Sequence, residues 1–181
     1  MVAITEIKEE IKIPSNVEIT IDNKIVHVKG EKGTISKTLS HPRININVNN
    51  DVVGISCLDN PKRAEKALIG TFKAHIKNMI IGVTDGFEYK MKTVFAHFPI
   101  KTSVEGNSFI IQNFLGERSP RKAKIIEGVT VETKGENVTV SGVDKEKVGQ
   151  TAANIERATR VKKRDIRVFQ DGVYIIGKRG K

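Results

Sequence analysis

Residues 44–67, ININVNNDVVGISCLDNPKRAEKA, and residues 129–152, VTVETKGENVTVSGVDKEKVGQTA, align without a gap at a constant offset of 85. Ile44, Ile46, Val53 and Ile55 fall on Val129, Val131, Val138 and Val140, while Ser56 falls on Ser141 and Asp59 on Asp144. Identities are few, but apolar positions, turn and helix start coincide, which marks an internal duplication. In each copy, β-branched residues alternate with polar ones at period two, as half-buried strands do. Asn49-Asn50-Asp51 and Lys134-Gly135-Glu136 lie between the paired runs and supply the backbone angles that tight hairpins need.

Outward from the repeat, Val17-Ile19-Ile21 and Ile25 to Val28 flank Asp22-Asn23-Lys24, an earlier hairpin. Its counterpart is a strand ending at Val104 and the run Phe109 to Phe114 around Glu105-Gly106-Asn107. A helix follows each pair of hairpins. Asp59-Asn60-Pro61 offers a capping residue beside a proline suited to a first turn. Ala64, Ala67/Leu68, Thr71/Phe72, Ile76 and Met79/Ile80 recur at helical spacing, and Gly82 is placed to end the run. The second helix starts at Asp144 with Val148, Ala152, Ile155 and Thr159 on one face. The fold class is therefore α+β: two tandem duplicated domains, each an antiparallel sheet packed by one helix. The break falls in Gly82-Val-Thr-Asp-Gly86, giving domains 1–82 and 83–181.

The 181 residues, 38% hydrophobic and 29% charged, suffice for two small cores. No apolar run reaches the roughly 18 residues of a membrane span. The opening residues 1–14 mix Glu6, Lys8, Glu9, Glu10 and Lys12 with isoleucines, unlike a signal peptide, and read as a frayed terminus. A cytoplasmic protein is expected. The single cysteine, Cys57, excludes an internal disulfide and a multi-cysteine zinc site, and its apolar surroundings predict a buried, inert thiol.

Chemistry is hard to find. His27, His41, His75 and His97 have no metal-ligand spacing among them, so no metal and no cofactor is expected. Gly30-Glu-Lys-Gly33 is a turn rather than a nucleotide loop, and no nucleophile elbow exists. The residues offer no catalytic constellation and no small-molecule substrate; an enzyme is not expected.

Charge is the functional clue. The chain carries 31 Lys+Arg against 21 Asp+Glu, a net of +10. Residues 157–181 hold nine basic and two acidic residues, and residues 117–124 hold four basic and one acidic; the remaining chain is neutral. Six cations, Arg157, Arg160, Lys162, Lys163, Arg164 and Arg167, crowd eleven positions. A helix C-terminus favours one or two basic residues, but this many repel one another by on the order of several kcal/mol unless an anion screens them. Leu115-Gly-Glu-Arg-Ser-Pro-Arg-Lys122 reads as a second, shaped basic loop. Phe169 and Tyr174 are the nearest candidates for stacking on unpaired bases, yet a terminal strand would bury them in the core. Phosphates and grooves of folded RNA are the partner this pattern favours over a single strand.

Several motifs resemble one family, ribosomal protein six of the large subunit. They are Ile13-Pro-x-x-Val17, Val28-Lys-Gly30, Met79-Ile-Ile-Gly-Val-Thr-Asp-Gly-Phe87, and Arg167-Val-Phe-Gln-Asp-Gly-Val-Tyr-Ile175 followed by Lys178. The last is similar to the archaeal and eukaryotic branch; the bacterial branch ends differently. The resemblance covers nearly the whole chain. It implies two domains arising by duplication, and binding to large-subunit rRNA mainly through the C-terminal domain. It also implies a place near the stalk base and factor-binding region, beside neighbouring ribosomal proteins and away from any membrane. The rRNA-facing positions it implies are Arg118, Ser119, Arg121, Lys122, Lys124, Arg160, Lys162, Lys163, Arg164, Arg167, Lys178, Arg179 and Lys181. A free-standing RNA-binding or RNA-processing factor is the alternative.

Overall fold

The computed structural model describes residues 6–49, 51–58 and 61–180, which form two compact units, Met1–Asp85 and Gly86–Lys181. Each unit carries one helix and divides its antiparallel strands between two sheets, where the sequence suggested one.

In the first unit, β1 (Glu6–Lys12), β6 (Val52–Leu58) and β5 (Ile44–Asn49) form one sheet in the order β1-β6-β5. A second, ordered β2-β3-β4, holds β2 (Glu18–Asp22), β3 (Ile25–Gly30) and β4 (Gly33–Thr38). The turn from β2 to β3 is tight because Asn23 and Lys24 both take positive φ, 45° and 68°, as a two-residue hairpin demands. Asn50 and the Asp59-Asn60 pair lie outside the described residues. Residues 6–12 are not a frayed end: they pair along their length with β6, Glu9 opposite Ile55 and Glu10 opposite Gly54. A strand's amide groups need partners, and β6 supplies them.

Helix α1 (Arg63–Thr84) crosses both sheets. Its buried stripe is Glu65, Ile69, Phe72, Ile76, Met79, Ile80 and Val83, so the expectation of Ala64 and Ala67 in the first turns is corrected; both are exposed. Glu65 is held at the start of this stripe. Its carboxylate accepts from the backbone N–H of Lys62, the residue that caps the helix, and takes an ion pair from Arg43 at 2.7 Å. Gly82 does not end the helix. It is buried inside it; the chain exits at Asp85, whose N–H donates to the Ile81 carbonyl at 2.8 Å, and Gly86 follows at φ +74°. The units divide at 85/86, inside the expected Gly82–Gly86 segment and three residues past the 82/83 bound.

The second unit repeats this plan. β11 (Val129–Lys134) and β12 (Asn137–Gly142) begin 85 residues after β5 and β6. With β7 (Phe87–Val94) and β13 (Gly172–Arg179) they form a sheet ordered β11-β12-β7-β13. The other sheet is β10-β9-β8, from β8 (Lys101–Glu105), β9 (Ser108–Gln112) and β10 (Arg121–Lys124). Helix α2 (Lys145–Ala158) packs on both through Val148, Thr151, Ala152 and Ile155. Asp144 caps it, accepting from Glu146 N at 2.8 Å and Lys147 N at 3.4 Å.

Besides the added strand β13, the copies differ in the length of their helices. α1 has 22 residues and α2 has 14, so a loop occupies the positions equivalent to the last turns of α1. A helix continued here would stack Arg157, Arg160, Arg164 and Arg167 on one face at spacings of three and four, where like charges repel. The chain instead leaves the helix at Thr159.

Candidate nucleic-acid interface

The two basic segments meet on one surface, and Arg121 joins them. Its Nε and Nη2 grip the two carboxylate oxygens of Glu117 at 2.8 and 2.6 Å. Its Nη1 donates to the carbonyls of Ala158, at 2.9 Å, and Arg160, at 3.1 Å. Its planar guanidinium lies 4.2 Å from the centre of the buried Phe114 ring. Only an arginine offers a fork and a flat face at once. The Arg121 hydrogen bond holds the Glu117 carboxyl below its ordinary pKa; burial opposes this, and the charges of Arg121 and Arg164 add to it. Glu117 is thus within reach of a cation from each segment.

The turn that carries Arg118 is shaped by backbone angles. Asn113, Leu115 and Gly116 all take positive φ, at 60°, 51° and 76°, around the short 3-10 turn Phe114–Gly116. Asn113 and Leu115 hold angles that L side chains seldom adopt, and Phe114 anchors the turn by burying its ring. Arg118 and Ser119 follow it and are exposed. The basic run then ceases to be a loop, contrary to expectation: Arg121–Lys124 is a strand, β10, paired to β9. Its period of two turns Lys122 and Lys124 to solvent while Ala123 is buried.

The second segment is a closed loop. Thr159 Oγ1 at its entrance accepts from the backbone N–H of Val173 at its exit, at 3.0 Å, and donates to the Glu156 carbonyl at 3.1 Å. Lys163 takes φ +57°, where the chain bends. Asp165 organises the tip, its carboxylate accepting from Arg167 N at 2.9 Å and its carbonyl from Val168 N and Phe169 N at 3.2 and 3.0 Å. Arg160, Lys162, Lys163, Arg164 and Arg167 are exposed. Among the described residues, no carboxylate pairs with Arg118, Lys122, Lys124, Arg160, Lys162 or Lys163.

The basic residues of the tail stand apart. Lys178 and Arg179 lie at the far end of β13, about 20 Å from the loop at the usual rise of a strand. Lys178 sits 5.3 Å from the Tyr89 ring centre, and Arg179 pairs in register with Glu88. Lys181 lies outside the described residues. Phe169 and Tyr174 are corrected. Phe169 precedes the strand and is half-buried under Arg164, 4.7 Å from its ring centre. Tyr174 is exposed on β13, its ring folded over Gly172 and its hydroxyl donating to the Gln170 carbonyl at 3.2 Å. Sequence reading passed over Glu117, Phe114 and Asp165, whose only signal was acidic or aromatic character inside a basic run.

Among the described residues, no group of His, Cys, Asp and Glu could hold a metal ion, and no helix is long and apolar enough to cross a membrane. The family model for ribosomal protein L6 matches twice, over residues 13–86 and 98–172, with starts again 85 apart. Large ribosomal subunit protein uL6 of Methanobrevibacter smithii is 52% identical over 179 residues, covering 98% of this chain and 99% of its own. The protein of the same name from Methanococcus vannielii is 51% identical over 175 residues, covering 97% and 96%. Two matches in tandem, each covering the helix and most strands of one unit, place the chain: it belongs to the ribosomal protein L6 family, whose members are ribosomal proteins and not enzymes.

Proposed function

We propose that this chain is a structural constituent of the large ribosomal subunit of the cytoplasmic ribosome and holds large-subunit rRNA mainly through its C-terminal unit. The observation that carries the reading is the junction at Arg121, which brings two basic segments into one surface rich in cations without carboxylate partners. Such a surface is stabilised by displacing counterions from phosphates. The near-neutral first unit is free to face neighbouring ribosomal proteins. The place in the subunit that fits the family resemblance is near the stalk base and the factor-binding region.

Sedimentation of the tagged chain tests the first part. Stoichiometric presence in large subunits supports it; a soluble pool supports a free-standing RNA-binding or RNA-processing factor. Binding of the chain to protein-free large-subunit rRNA across a salt series tests the second. Neutralising on the order of five to eight phosphates gives a log–log slope of about −4 to −7. Replacing Arg160, Lys162, Lys163 and Arg164 together should flatten it by about three. A salt-insensitive interaction would overturn the reading.

A further inference from the structure

Ile166 and Val168 stand in the most basic loop of the chain with 70% and 71% of their surfaces in solvent. Single exposed apolar residues are ordinary on proteins. This pair is different because the loop around it is built. Thr159 and Val173 close its base, Asp165 organises its tip, and Gln170 Nε2 donates to the Arg167 carbonyl at 3.2 Å. An ordered turn thus presents two β-branched apolar side chains to water, with Lys162 and Lys163 before them and Arg167 between them.

We propose that this turn docks in the minor groove of a double-helical segment of RNA, an inference that rests on the rRNA-binding reading above. Ile166 and Val168 lie against the sugars, while Lys162, Lys163 and Arg167 reach the phosphates alongside. Three features favour this partner. The cations call for a polyanion, and the loop's own acids are occupied: Asp165 within the turn, and Asp171, buried, by the backbone N–H of Ala96 at 3.2 Å. The A-form minor groove is wide and shallow and displays ribose, so short, branched apolar groups fit it, whereas the major groove is too narrow to admit them. Within this turn, unpaired bases would need an open aromatic face, but Arg164 covers Phe169, and the exposed Tyr174 ring turns one side to Gly172.

The test uses the full chain, protein-free large-subunit rRNA, and a short blunt RNA duplex with DNA-duplex and single-stranded RNA competitors. Both side chains are exposed, so Ile166→Ser/Val168→Ser should keep the wild-type thermal unfolding midpoint. Its affinity for rRNA and for the RNA duplex should fall about tenfold, with an unchanged salt slope because no cation is lost. Lys162→Gln/Lys163→Gln should also weaken binding, but with the slope flattened by about two. The RNA duplex should outcompete both other nucleic acids. Equal binding by the serine variant and wild type, or equal competition by DNA, overturns the proposal. If the serine variant binds rRNA normally but fails to enter large subunits, the pair faces a protein and the groove assignment is wrong. Failure of the wild type to bind rRNA with a salt slope instead overturns the reading beneath it.

Discussion

Nη1 of Arg121 donates to the carbonyl of Ala158 at 2.9 Å, across 37 residues of chain, and ties β10 to the last turn of α2. Helix C-terminal carbonyls lack intrahelical partners, and a guanidinium that satisfies one while gripping Glu117 holds two segments in register. Arg121 is therefore a positioning residue, and the arginine that reaches outward is Arg118.

The two arginines should respond differently to lysine. Arg121→Lys loses the fork and leaves backbone carbonyls unsatisfied, which should destabilise the second unit by about 1–3 kcal/mol. Arg118→Lys should leave the unfolding midpoint unchanged and weaken rRNA binding by about 1 kcal/mol, since a point charge replaces a two-bond grip. Thermal unfolding and affinity at one fixed salt concentration read the two effects. Equal loss of stability in both variants would refute the distinction.

Acidification should release the junction. Glu117 has a lowered pKa in the folded chain, mainly through the Arg121 hydrogen bond. The stability it contributes is thus complete above its unfolded pKa and is lost as pH falls through the lower, folded one. Glu117→Gln cannot titrate, so the gap in unfolding midpoint between wild type and variant should be widest near neutrality. It should narrow as pH drops below the ordinary carboxylate range. A gap constant across that window would show that Glu117 does not titrate with folding.

Residues 86–181 contain their own core and both members of the junction, so this fragment alone should retain most rRNA affinity. Residues 1–85 should retain almost none. Comparable binding by the first unit would reassign the RNA face.

Gly30 should tolerate no side chain. A Cβ there would meet Val83 at 2.7 and 2.9 Å and its carbonyl oxygen at 2.9 Å. Neither side can yield, because Val83 is fully buried and its carbonyl accepts from Lys32 N at 3.0 Å. Gly30→Ala should therefore destabilise the first unit by about 1–3 kcal/mol. Chemical denaturation of the 1–85 fragment measures it; an unchanged midpoint would mean that the α1 end shifts freely.

The sequence by itself determined the duplication, the hairpins and the segregation of charge. These are local: alternation over a few residues, Asn and Gly at turns, an offset of 85 that places β11 on β5, and a count of cations. Tertiary structure decided what depends on distant partners. Residues 6–12 become a strand only because β6 pairs with them. The first turn of α1 buries a charged residue, Glu65, whose partner Arg43 lies 22 residues earlier. Lys178 and Arg179 follow the basic loop closely in sequence, yet an extended strand carries them away from it. Arg121 and Arg118 are alike as letters. They differ in which atoms the folded chain sets before them, and hydrogen bonds act over about 3 Å, a scale on which only three-dimensional neighbours count.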